Sequence, residues 1–113
     1  MQGVVVHRDQ KILYANDAFV RIFGYDDLED VLRVGSIDAF AYGDDATKVA
    51  NRARQRTDGD DISTFAEFRG VRKDGRLIWF TTSGRTTQWQ GLPAIQATII
   101  EITERKEAEL AIE

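Results

Sequence analysis

The 113-residue sequence contains no cysteine, a single proline and a single histidine. Without cysteine the chain has no disulfide, no thiolate metal site and no cysteine nucleophile, and its redox compartment stays open. No apolar run approaches the roughly 20 residues that a membrane-spanning helix needs, and the first ten residues lack a signal-peptide layout. We therefore expect no membrane insertion of this segment, and we assign it to the cytoplasm.

The sequence also lacks an excess of basic residues. Its net charge of -4 disfavours nonspecific nucleic-acid binding. Arg52, Arg54 and Arg56 do not share one helical face, so they form no basic stripe. We expect no nucleic-acid partner. A composition of 42% hydrophobic and 30% charged residues indicates one folded domain with a single core.

The first part of the chain predicts a β-hairpin followed by a short helix. The β-branched run at residues 4–6 and the apolar run at residues 12–15 flank a polar turn at residues 9–11. Asn16 is a suitable N-cap for a helix that begins at residue 17, and Gly24 is a suitable C-terminal stop.

Two more helices follow. Asp26, with Glu29 three residues later, predicts a capping box for a short helix that ends near Leu32. The apolar residues at positions 46, 49, 50 and 53 have helical spacing, which predicts a longer helix over residues 44–57. Acidic residues open this helix and arginines lie near its end, as the helix dipole favours.

The last part predicts three strands. The first covers residues 62–72, with Phe68 and Gly70 on its core face, and the turn at residues 74–75 leads to a second over residues 76–85. After a turn near Gly91, a third strand covers residues 94–102. The order ββαααβββ predicts an α+β fold: a five-stranded antiparallel sheet with helices packed on one face.

Three stretches resemble a PAS domain with its C-terminal PAC motif. They are ILYANDAFVRIFGYDDLEDVL (residues 12–32), FRGVRKDGRLIWF (residues 68–80) and GLPAIQATIIEITERKEAE (residues 91–109). The resemblance implies a PAS domain over residues 1–102 and the start of a C-terminal signalling linker helix at residues 103–113. It also implies a sensory module, itself not an enzyme, in a larger signalling protein.

The same resemblance implies the partners of the module. PAS domains of this kind pass their state to an output domain in the same chain, such as a histidine kinase or a diguanylate cyclase, and commonly form homodimers. The signal-relay junction implied by the PAC motif consists of Glu101, Thr103 and Arg105. Glu101 stands where the family usually has Asp, and Gln10 stands where the first hairpin commonly has Gly.

The resemblance gives no support to a coloured cofactor. In flavin-binding PAS domains the sheet carries amide side chains, and by motif alignment these positions fall on Gly70, Phe80 and Ile99, which make no polar side-chain contact. Haem-binding relatives take a His from the long helix or its surroundings, and residues 44–57 contain none. We expect no flavin, no haem and no metal site, with His7 a surface or hairpin residue.

The remaining candidate site is an apolar interior between the sheet and the helices. It is either a filled core or a ligand pocket, and the filled core is the simpler interpretation, because aromatic residues at these spacings are ordinary packing. The small residues Ala53, Gly70 and Ala97 leave room for a small, largely apolar ligand, with Asn51 or Arg52 as polar contacts. The residues of this predicted pocket are Phe40, Val49, Asn51, Arg52, Ala53, Phe68, Gly70, Phe80, Ile95, Ala97 and Ile99.

No catalytic residue is predicted. The acidic groups at residues 44–45 and 58–61 lie at helix ends or turns, where solvated Asp is routine. Two functions stay open: a sensor that binds a small ligand, and a ligand-free dimerisation and protein-interaction module. The second would use an exposed apolar sheet face with Val71 and Trp79.

Overall fold

The computed structural model describes residues 2–57 and 65–111, with the backbone alone for residues 53–57. The predicted beginning of the third strand at residues 62–64 therefore lies outside the described residues. The same is true of the acidic group at residues 58–61 and of the last two residues of the predicted linker helix.

An antiparallel sheet with the spatial order β2-β1-β5-β4-β3 forms one layer of the fold. The register places Val5 opposite Ala97, so the first strand pairs with the last and both lie in the middle of the sheet. This confirms the predicted five-stranded sheet. The strands are β1 (Gln2–Arg8), β2 (Lys11–Ala15), β3 (Ala66–Val71), β4 (Leu77–Trp89) and β5 (Leu92–Glu101).

Helices cover one face of this sheet. They are α1 (Asp17–Ile22), α2 (Leu28–Val34), a 3₁₀ turn (Ile37–Phe40) and α3 (Asp45–Thr57), and α4 (Thr103–Ala111) follows the last strand. Asn16 is the N-cap of α1, as predicted, and its Oδ1 accepts the amide of Phe19 at 2.9 Å. The same oxygen accepts the amide of Val4 at 2.9 Å, which ties α1 to β1.

The predicted start of α2 is wrong by one residue. Asp27, and not Asp26, is the N-cap, and its carboxylate accepts the amide of Asp30 at 2.9 Å. The physical reason is the orientation of the helix about its axis. The helix that begins at Leu28 directs Val31 into the core, where its exposed fraction is 0%.

Strand β4 is longer than predicted. Its last residues, Thr86 to Trp89, continue the pairing with β5 up to the tight turn at Gln90 and Gly91, where both residues have positive φ. Arg8 fixes this end of the sheet, because its guanidinium donates to the carbonyl of Pro93 at 2.7 Å. Because the turn and Arg8 hold β4 and β5 together, β4 continues beyond its predicted end at residue 85.

A cluster of aromatic rings joins the helices to the sheet. Phe19, Phe23 and Phe40 lie with their ring centroids 4.8 to 5.3 Å apart, and the ring of Phe80 on β4 lies 5.7 Å from that of Phe23. All four are buried. Rings at such distances and angles contribute stability beyond the area that they bury. These four rings also form part of the wall of the candidate site.

Candidate functional site

An interior cavity of about 40 Å³ lies between the sheet and the helical layer. Helix α3 contributes Val49 and Arg52, and the 3₁₀ turn contributes Ile37 and Phe40. The remaining residues come from α1 and from four of the strands. The full lining is Val5, His7, Phe19, Phe23, Ile37, Phe40, Val49, Arg52, Phe68, Phe80, Thr82, Ala97 and Ile99.

The structure brings seven of the eleven predicted pocket residues together at this cavity: Phe40, Val49, Arg52, Phe68, Phe80, Ala97 and Ile99. Asn51 is exposed on α3, and Ile95 is buried but lines a separate hollow near the end of β1. The side chain of Ala53 lies outside the described residues. Helical periodicity separates Asn51 from Arg52, because successive residues of a helix point about 100° apart.

Gly70 does not provide the space that the sequence suggested. A Cβ atom added there would lie 3.0 Å from the ring of Phe80 and 3.1 Å from the ring of Phe23. The two rings already occupy the room that the glycine leaves. Gly70 therefore permits close packing of the aromatic cluster, and Ala97 is the small residue that lines the cavity.

His7 lies in the β1–β2 hairpin, one of the two predicted placements, but it is not on the surface. Its exposed fraction is 2%, and it lines the cavity together with Val5, two residues earlier on the same face of β1. A register shift between Val6 and His7 places His7 opposite Ile12. Strand alternation could have placed His7 on the same face as Val5, because side chains two apart share a face.

The cavity is mostly apolar, with three polar exceptions: His7, Arg52 and Thr82. Arg52 is half-buried, and burial lowers the pKa of its guanidinium. An arginine nevertheless keeps its charge in proteins. The site thus combines hydrocarbon walls with a retained positive charge, a combination typical of pockets that orient a small ligand.

The size of the cavity restricts what it can hold. A water molecule occupies about 10 to 15 Å³ by this measure, whereas a cavity of about 150 Å³ admits a benzene ring. The present cavity therefore accommodates a molecule of a few non-hydrogen atoms and does not fit an aromatic ring. A flavin does not fit it either, and Phe80 and Ile99 at the corresponding sheet positions offer it no polar group.

Helix α3 is fastened to β3 by a buried ion pair. Asp45 is 5% exposed, and its carboxylate accepts the backbone amide of Arg69 at 2.6 Å and the guanidinium at 3.2 Å. Burial by itself raises the pKa of Asp45, but the hydrogen bonds and attraction from Arg69, with attraction from Lys48, outweigh it, so that the pKa is lowered. The expectation that this Asp is solvated is wrong, since β3 covers it.

The predicted relay residues come together where β5 meets α4. The hydroxyl of Thr103 accepts the backbone amide of Trp79 at 3.0 Å and donates to the carboxylate of Glu101 at 2.8 Å. The carbonyl of Ile102 accepts the first helical hydrogen bond, from Lys106. Thr103 is therefore the first residue of α4, and its hydroxyl attaches the helix to β4.

A second group of contacts holds α4 against the sheet. The carboxylate of Glu67 on β3 pairs with Arg105 and, at 3.0 Å, with Lys106. The Nζ atom of Lys106 also lies 4.8 Å from the ring centroid of Trp79. The hydrogen bond from Lys106 and attraction to both cations lower the pKa of Glu67 and outweigh a smaller effect of desolvation. Glu67 was missed from the sequence because strand alternation alone indicates only an outward-facing charge.

Within residues 2–57 and 65–111 no helix is long and apolar enough to cross a membrane. In the same ranges no three His, Asp or Glu side chains are grouped as a metal ion would require.

Comparison with known proteins gives one family. A family model described as the PAS fold matches residues 12–99, which is more than half of the chain. The comparison with curated proteins gives no match. Among solved structures, the chain is similar to the PAS domain of a LuxR-family transcriptional regulator from Burkholderia thailandensis in complex with ethanol, at 21% identity and a TM-score of 0.68, covering 89% of this chain and 88% of that one.

Two other solved structures are similar to the chain. One is a sensory box histidine kinase/response regulator from Burkholderia thailandensis, with 22% identity, a TM-score of 0.72 and coverage of 98% of this chain and 84% of that one. The other is a light-oxygen-voltage domain solved with a flavin analogue, with 24% identity, a TM-score of 0.71 and coverage of 98% and 85%. At these identities the likeness concerns the fold alone.

Proposed function

Since the chain belongs to the PAS fold family, we propose that it is a sensory module of a larger signal-transduction protein. In this proposal the domain is not catalytic, works in the cytoplasm and precedes an output domain of the histidine kinase or diguanylate cyclase type. The similarity to a sensory box histidine kinase/response regulator supports the kinase alternative. The module binds a small ligand, and α4 passes its state to the output domain.

The interior cavity is the observation that carries this proposal. Its walls come from α3 and from the strands β1, β3, β4 and β5, so an occupant touches both layers of the fold. The PAS domain that was solved in complex with ethanol supports a ligand of this size. An occupant of a few non-hydrogen atoms would fill this space. Because it would bind only the folded chain, it would stabilise the packing of the helices against the sheet.

The junction at α4 supplies the relay. Phe80 and Thr82 line the cavity, and Trp79, their neighbour on β4, is bonded to Thr103. Glu67 on β3 is next to Phe68, which also lines the cavity, and it pairs with Arg105. A displacement of β3 or β4 at the cavity would therefore reach α4 through these direct contacts.

The test is a titration of the isotopically labelled domain with ethanol, followed by amide chemical shifts. We expect saturable shifts at Val49, Ala97 and their neighbours. Ala97→Leu should abolish them by filling the cavity, and Ala39→Leu, at an exposed position on the 3₁₀ turn, should leave them unchanged. Mass spectrometry of a denaturing extract would show a ligand retained from the cell. If no shift and no retained ligand are found, the sensor proposal fails.

A specific feature favours the second function, a ligand-free dimerisation and interaction module. On the outer sheet face, a groove of about 350 Å³ is lined by Phe65, Glu67, Thr81, Ile100, Ile102 and Arg105, and Phe65 is 54% exposed. Val71 and Trp79, which were predicted on an exposed apolar sheet face, are half-buried, and Lys106 lies over Trp79. Sedimentation equilibrium of the domain and of Phe65→Ser would test a homodimer through this face.

A further inference from the structure

We propose that the ligand of the interior cavity is a small neutral oxygen compound, a short alcohol or aldehyde, and that the hydroxyl of Thr82 on β4 forms a hydrogen bond with its oxygen atom. This inference rests on the proposed function. It deepens that function by naming the class of ligand and the residue that recognises it.

The first argument is the state of the Thr82 hydroxyl. Thr82 lines the cavity, and its exposed fraction is only 7%. Throughout residues 2–57 and 65–111, no protein group forms a hydrogen bond with this hydroxyl. Buried side-chain hydroxyls are nearly always hydrogen-bonded in folded proteins, because an unpaired one costs free energy. A ligand oxygen inside the cavity would supply the missing bond.

The second argument is the apolar surroundings of Thr82 within the sheet. The register places it opposite Ile99 on β5 and opposite Ala66 on β3. Phe80, two residues earlier on β4, shares its face and is also buried. Valine has nearly the same shape as threonine and would fill this position without burying a polar group. Packing therefore does not account for a hydroxyl here, whereas a ligand that bonds to it does.

The other polar groups of the wall are already engaged. His7 and Arg52 line the cavity too, and each of them interacts with another group of the protein. Thr82 is thus the polar group that the wall leaves for a ligand. Its hydroxyl suits a neutral partner, because burying an ion among hydrocarbon side chains costs far more than one such hydrogen bond offsets.

The third argument is size. A cavity of about 40 Å³ holds about three water-sized groups. Ethanol and acetaldehyde have this size. With the ligand oxygen at Thr82, the hydrocarbon end would contact Phe68 and Ala97, which line the same space. A longer chain would have to displace the walls, which are close-packed and resist expansion.

The test compares ethanol with xenon, an apolar probe that enters hydrocarbon cavities, by amide chemical shifts of the labelled 113-residue chain. We expect both to shift the signals of Val49 and Ala97. Thr82→Val should raise the Kd of ethanol about tenfold, because its oxygen loses its partner, and should leave the Kd of xenon unchanged. Thr86→Val, the same substitution at an exposed position of β4, is the control and should change neither Kd.

A second measurement tests the premise that the hydroxyl has no partner in the protein. Without ligand, Thr82→Val should keep or raise the urea midpoint of unfolding, since it removes an unpaired buried polar group. A lower midpoint would overturn the inference. Should Thr82→Val not fold, Thr82→Ser and Thr82→Ala decide. The two variants differ only in the hydroxyl, and only the serine variant should keep the affinity for ethanol.

The outcomes separate this inference from the function on which it rests. If Thr82→Val binds ethanol as tightly as the unmodified chain does, the assignment to Thr82 is overturned while the cavity is still a ligand site. A retained cellular ligand that is ionic, or that lacks oxygen, also overturns the inference alone. If neither ethanol nor xenon shifts the cavity signals and a denaturing extract contains no ligand, the proposed function fails with it.

Discussion

Two small residues near the cavity differ in what they do. Ala97 lines open space, whereas Gly70 touches the rings of Phe23 and Phe80. A side chain added at Ala97 has somewhere to go, and one added at Gly70 does not. Substitutions at the two positions therefore distinguish the filled part of the interior from the open part.

We predict that Ala97→Val changes the free energy of unfolding by less than about 1 kcal/mol or raises it, because filling a cavity is commonly stabilising. Gly70→Ala should lower it by about 1 to 3 kcal/mol, since overpacking forces neighbouring rings to shift. Urea unfolding monitored by fluorescence measures both. Equal losses at the two positions would contradict an open cavity beside Ala97.

Asp45 is the buried charge with the clearest effect on stability. Its pKa lies below the ordinary value of 3.8 in the folded chain. A carboxylate of this kind contributes stability that is complete above its unfolded pKa and is lost as the pH falls through the lowered folded value. The pair with Arg69 should therefore weaken only in acid.

We predict that Asp45→Asn lowers the free energy of unfolding at pH 7 by about 1 to 3 kcal/mol, the range for a hydrogen bond to a charged group. The difference from the unmodified chain should shrink as the pH falls from 3.8 through the lowered folded pKa, because Asp45 becomes protonated first in the unfolded chain and then in the folded one. Urea unfolding at pH 7, 4.5 and 3 measures it. Asp44→Asn, at an exposed position, is the control. A difference that does not depend on pH would argue against an ionised Asp45.

At the scale of elements, β3 connects two helices. Its outward-facing residues Glu67 and Arg69 are two apart, and they pair with α4 and with the start of α3 respectively. Helix α4 has no buried residue. Because an isolated helix of this length is marginal in water, α4 depends on its contacts with β3 and β4 for its position.

We predict that Glu67→Gln speeds hydrogen exchange of the amides of Lys106 to Leu110 several-fold, because both cations of α4 lose their common partner. Thr103→Val should have the same effect by removing the bond to Trp79. Amides of β5 should keep their protection. Glu107→Gln, on an exposed part of the same helix, serves as the control. Unchanged exchange in α4 would show that these contacts do not hold the helix.

At the scale of the whole molecule, α4 extends the fold beyond the sheet. Its apolar residues Ala108, Leu110 and Ala111 are exposed in the single domain. In the homodimer expected from the resemblance, a second copy of the same helix would cover them.

We predict that insertion of one to seven residues after Glu109 in the parent protein changes its output periodically, with recovery near seven, the heptad length. The physical reason is that each added residue rotates everything beyond it by about 100°. Output activity of the parent protein measures this. Seven residues inserted as a Gly-Ser segment, which does not continue the helix, should not restore it. Output that does not depend on the number of inserted residues would show that α4 only connects the domains and does not relay a signal.

Most elements and their types follow from local sequence patterns. Alternating and helical periodicity located the five strands and the helices α1, α2 and α3, because these patterns depend on residues close in the chain. The N-cap of α1 and the turn at Gly91 were also predicted, because they too depend on residues close in the chain. Helix α4 was implied by the resemblance to the PAC motif. The offset at Asp27 shows the limit, since the phase of α2 depends on burying Val31 against the rest of the core.

Only the tertiary structure decided which residues meet. The pairing of β1 with β5, the filling of the space at Gly70, the placement of His7 at the cavity and the partners of Glu67 each join residues far apart in the chain. Local periodicity indicates that a side chain faces inward or outward, but it does not specify its neighbour. Ala97 on β5 and Arg52 on α3 line the same cavity only because the fold packs α3 against the sheet, and that is a property of the whole fold.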